Sequence, residues 1–120
     1  MTMNQTSFEF TMQVTGGRAM LTAVRDLASH VASYAGGKAV AAAVADEVVT
    51  AAEAAIAASR GDGTPIDVRF VRTSECLDVF VAGGRSTALS ATHLSRGPGL
   101  SVDWSIDGGR QVCHIRQGMD

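Results

Sequence analysis

The chain has 120 residues, 46% apolar and 18% charged, with a formal net charge of −2. That length buries one core, so residues 1–120 read as a single domain, and an enzyme with separate substrate and cofactor domains is excluded. Ten basic residues, only one of them lysine (Lys38), against twelve acidic ones exclude the basic footprint of a nucleic-acid binder, and the aliphatic content at low net charge excludes disorder over most of the length.

Met1 to Ser7 is polar and lacks the charged and apolar regions of a signal peptide, so it reads as a disordered tail. Phe8, Phe10, Met12 and Val14 then alternate with Glu9, Thr11 and Gln13, the period of a half-buried strand. After Gly16-Gly17 the period changes, and Met20, Val24, Leu27, Val31 and Tyr34 fall on one face of a helix over 18–34, closed by Gly36-Gly37. A second helix is predicted over 38–59, where 11 of the 20 residues from Ala39 to Ala58 are alanine. Its buried stripe is Val40, Val44, Val48 and Ile56. Asp46, Glu47 and Glu53 interrupt the stretch and exclude a membrane span.

Arg60 to Pro65 has loop composition. Beyond it Ile66, Val68 and Phe70, then Leu77, Val79 and Val81, alternate with polar or outward residues and predict a hairpin turning at Thr73-Ser74. That turn sets Phe70 opposite Leu77, Val68 opposite Val79, and Arg69 opposite Asp78 as a charge pair. Gly83-Gly84 follows, then a short stretch from Ser86 to Leu94 read as one or two helical turns, and the loop Arg96-Gly97-Pro98-Gly99. Leu100, Val102, Trp104 and Ile106 form the next strand, and Asp107-Gly108-Gly109-Arg110 turns it tightly so that Trp104 faces Cys113 and Val102 faces Ile115. The order β-α-α-β-β-(α)-β-β predicts an α+β two-layer sandwich, a mixed or antiparallel sheet with its helices on one face. The other face would carry Val71, Cys76, Phe80, Val112 and His114.

Few residues offer chemistry. Cys76 and Cys113 belong to no C-x-x-C pair, which makes a reduced, cytoplasmic setting the default, and His30, His93 and His114 show no metal-ligand spacing. Cys113 and His114 are strand neighbours pointing to opposite faces, so they cannot act as a nucleophile and its base. On the second helix Asp46, Glu47, Thr50 and Glu53 lie on roughly one side, with Glu47 at the edge of the apolar stripe.

The run Val44-Ala45-Asp46-Glu47-Val48-Val49-Thr50-Ala51-Ala52-Glu53-Ala54, with Arg96-Gly97-Pro98-Gly99-Leu100 and the element order, resembles the bacterial anti-sigma-factor serine kinases of the GHKL (Bergerat) ATPase superfamily. The resemblance implies a Bergerat-like fold with a nucleotide site. Glu47 matches the general base, and Gly83, Gly84, Gly97 and Gly99 are the candidates for its phosphate loop. It also shows what is lost. Ala51 stands where the family carries its Mg²⁺-holding Asn, and Ala82-Gly83-Gly84 replaces the D-x-G that reads adenine. Either Arg96 to Leu100 is the glycine box, or Gly83-Gly84 is its remnant and Ser86 to Leu94 the helix that follows; the second preserves the element order, with the ATP lid reduced or absent.

The resemblance therefore implies a non-catalytic regulator with no confident cofactor or metal, partnered by a sigma factor, an anti-anti-sigma protein or a second copy of itself, and with neither nucleic acid nor membrane as partner. Two other readings stay open. One is an active ATP-dependent serine kinase using Mg²⁺ held by Asp46, Thr50 or Glu53; the other is a small-ligand or thiol sensor using Cys76 or Cys113.

Overall fold

Seven residues of strict alternation at the start of the chain form strand β1, Phe8–Val14, whose even-numbered residues face a helix layer. In a computed structural model the described residues are 8–14, 17–34, 41–59, 65–73, 75–85, 92–97, 99–107 and 109–118. A 3₁₀ turn, Gly17–Met20, leads into α1, Leu21–Tyr34; α2 is Ala41–Ser59. Strands β2 (Ile66–Arg72), β3 (Cys76–Arg85), β4 (Thr92–Gly97), β5 (Leu100–Asp107) and β6 (Arg110–Gly118) complete the order. The tail 1–7 and Lys38 lie outside the described residues.

The six strands make one sheet in the order β1-β2-β3-β6-β5-β4, antiparallel at every pairing. Both helices pack on one face, so the chain is a two-layer α+β sandwich. Val68, Phe70, Val79, Val81, Cys113 and Ile115 of the sheet meet Val24, Ala28 and Ala32 of α1 and Val44, Val48, Ala51 and Ala55 of α2 in a single core. Alanine explains the closeness of the layers, because a methyl side chain holds a helix off its neighbour by little more than the backbone itself. No described helix is long and apolar enough to cross a membrane.

The structure corrects three expectations. Thr92–Gly97 is a strand, where Ser86 to Leu94 was expected to be helical; residues 86–91 lie outside the described residues. Its pairing with β5 through the Gly99 turn gives β5 an outer partner, an edge that a helix would have left bare. The β2–β3 register is two residues off the predicted one: Phe70 faces Val79, Val68 faces Val81 and Arg69 faces Phe80. Thr73 N donates to Cys76 O (2.9 Å), which moves the turn one residue along. A two-residue shift keeps every side chain on its face but changes its partner. Finally, the buried line of α1 is Val24-Ala28-Ala32, and Tyr34, placed on the buried face by its spacing, is 72% exposed. The predicted pairs Trp104–Cys113 and Val102–Ile115 are present.

Candidate functional site

The residues that the resemblance marked for nucleotide do not converge. Gly83 lies within β3, opposite Gln111, and β3 runs on through Gly84 to Arg85 with a register irregularity between Gly83 and Arg85. Gly97 ends β4 and pairs with Leu100, and Gly99 takes the left-handed turn position (φ +71°) beside it. Leu100 faces Gln117, so the two glycine pairs are separated by the run of β6 from Gln111 to Gln117, six residue steps or roughly 20 Å at strand rise.

Each glycine also has a packing reason. A Cβ on Gly83 would stand 3.0 Å from Ile66 Cγ1 and 3.4 Å from Ala55 Cβ, so glycine here lets α2 settle onto β3. Gly99 O accepts from Gly118 N (2.8 Å), tying the hairpin to β6. Ala51, at the family's metal-ligand position, is buried in the core. Ala82, at the adenine-reading position, pairs with Asp67 and Val112 on the face away from the helices. The two alternative placements of the phosphate loop therefore lie at opposite ends of the sheet, and the position of the family's metal ligand is a buried methyl group, which offers a metal no donor atom.

Glu47 is half-buried on α2, and its charge reaches across to β6. Burial first, then the Glu47 and Asp103 carboxylates, push the Cys113 thiol up to about 12. Asp46 is exposed and ion-paired with Arg25 of α1; Thr50 Oγ1 donates to Asp46 O (2.9 Å). These two therefore fasten helices and their own turn. Among the described residues no group of three or more His, Cys, Asp or Glu side chains could hold a metal ion. Cys76 and Cys113 are free thiols on opposite faces of the sheet, beside Asp78 and Val81 respectively.

The face without helices carries a more organised set of polar side chains. His114 of β6 stacks on Phe80 of β3, centroids 4.4 Å apart and planes 8° from parallel. Its Nε2–H donates to Asp78 Oδ1 (2.7 Å), and Cys76 Sγ donates to Asp78 Oδ2 (3.3 Å). Arg116 stands 3.7 Å from the same carboxylate, and its guanidinium is raised above its ordinary value by a hydrogen bond with Cys76, then by the charges of Cys76 and Asp78. On the other side of Phe80 the Arg69 guanidinium lies 5.7 Å from the ring centroid and donates from Nε to Glu9 Oε2 (2.6 Å). Arg110 donates to Asp67 Oδ2 (2.8 Å), Ala82 O (3.0 Å) and Pro65 O (3.2 Å), bracing one end of this face.

Strand alternation puts Glu9, Arg69, Asp78, Phe80, His114 and Arg116 on one surface, and the pairings Arg69–Phe80 and Phe80–His114 line three of them in a row across β2, β3 and β6. Phe80 and His114 were expected on this face, and Arg69 and Asp78 were expected there as a charge pair with each other; instead Arg69 pairs with Glu9 and Asp78 with His114. The signal was present in the alternation of β3, but reading it required the true β2–β3 register. Chemically the network is a set of mutually hydrogen-bonded and ion-paired side chains around a stacked pair, in which the Cys76 thiol donates to the Asp78 carboxylate and His114 bonds the other oxygen of the same carboxylate. No protein-family model matches the chain, and no characterised protein matches it at a significant level.

Proposed function

We propose that the chain is a non-catalytic binding module, a degenerate relative of the anti-sigma-factor serine kinases, that acts in the cytoplasm by docking a protein partner on the helix-free face of its sheet. The observation that carries this reading is the row Glu9–Arg69–Phe80–His114–Asp78, spread over four strands on a face that neither α1 nor α2 covers. Aromatic and arginine side chains are the usual anchors of protein interfaces. Here they are already held by neighbours, which lowers the ordering cost of association. The direct seating of α2 on Gly83 and the burial of Ala51 favour a binding role over phosphoryl transfer, which depends on positioned metal.

By the resemblance, the partner is a sigma factor or an anti-anti-sigma protein. The reading also allows a second copy of the chain. Affinity capture from the source organism with the full chain, run beside the Phe80→Asp variant, tests it. A transcription regulator retained by the natural chain and lost with Phe80→Asp is the expected result; recovery of no transcription-related protein contradicts the anti-sigma assignment.

A further inference from the structure

We draw no further inference here: the strongest candidate, the open apolar groove between α1 and β1 lined by Phe8, Phe10, Leu27, His30, Val31 and Tyr34, is an unpartnered surface, and nothing in the structure shows what covers it.

Discussion

Gly83 of β3 lies beneath Ala55 of α2 so closely that a Cβ on the glycine would come within 3.4 Å of the alanine methyl. This contact explains why a glycine occupies a strand interior, where it is ordinarily unfavourable. It also fixes how near the second helix can approach the sheet. Gly83→Val raises strand propensity but pushes into Ile66 and Ala55. The packing effect wins, and a loss of about 1–3 kcal/mol is expected from urea unfolding. Unchanged stability would show that the helix stands farther from the strand.

Asp78 is the acceptor shared by His114 and Cys76, with its side chain only 15% exposed. Replacing it by alanine leaves two donors on the sheet face without their partner. A cost of about 1–3 kcal/mol is expected. The Arg69–Glu9 pair is about half exposed at both ends, and Arg69→Ala is expected to cost no more than about 1 kcal/mol. Equal losses for the two variants in denaturant titrations would contradict this ordering.

Cys113 gives the fold an alkaline limit. Its folded value, about 12, lies above the ordinary 9.0, so the folded chain keeps a proton that the unfolded chain releases. The stability from this difference is fully present below about pH 9 and is lost as pH rises through that window towards 12. Cys113→Ala is expected to flatten the alkaline fall in thermal midpoint. Alkylation of Cys113 at neutral pH is expected to follow the rate of unfolding, because thiolate is the reactive form. Rapid labelling of Cys113 in the folded chain would count against this.

Arg110 joins β6 to the start of β2 and to β3 through one carboxylate and two carbonyls. A lysine has the charge but not the planar fork, so Arg110→Lys is expected to retain only part of this bracing. A loss of about 1 kcal/mol, with faster amide exchange at the ends of β2 and β3, is the expected result. Exchange unchanged at those ends would mean that the hairpins hold themselves.

Much of this architecture is legible in the chain, and the exceptions have physical causes. The β5–β6 register follows from its glycine turn, where Gly109 takes a φ of +81° open to few other residues. The β2–β3 turn has no such marker, and the closure of Thr73 on Cys76 is a matter of two hydrogen-bonding groups that alternation cannot reveal. That difference of two residues hid the Phe80–His114 partner Arg69 and assigned Asp78 to the wrong cation. β4 was obscured because Thr92 to Gly97 is short and mixed in character; only its pairing with β5 defines it. On α1 the periodicity marked Val24 correctly, yet the rest of the fully buried line is Ala28 and Ala32, each one position beyond Leu27 and Val31, which leaves Tyr34 outside. The glycines of the candidate phosphate loop were visible as turn-prone residues. That Gly83-Gly84 lies inside β3 and Gly97 to Gly99 at the β4–β5 turn is a property of the sheet, and short strings carry no information about it.

Calorimetric titration of the full chain with Mg-ATP tests most directly the central claim that this fold binds protein without nucleotide chemistry. With α2 seated on Gly83 and Ala51 buried, no saturable heat and no shift in thermal midpoint are expected. Saturable binding that disappears in Glu47→Ala would contradict the account and restore the kinase reading.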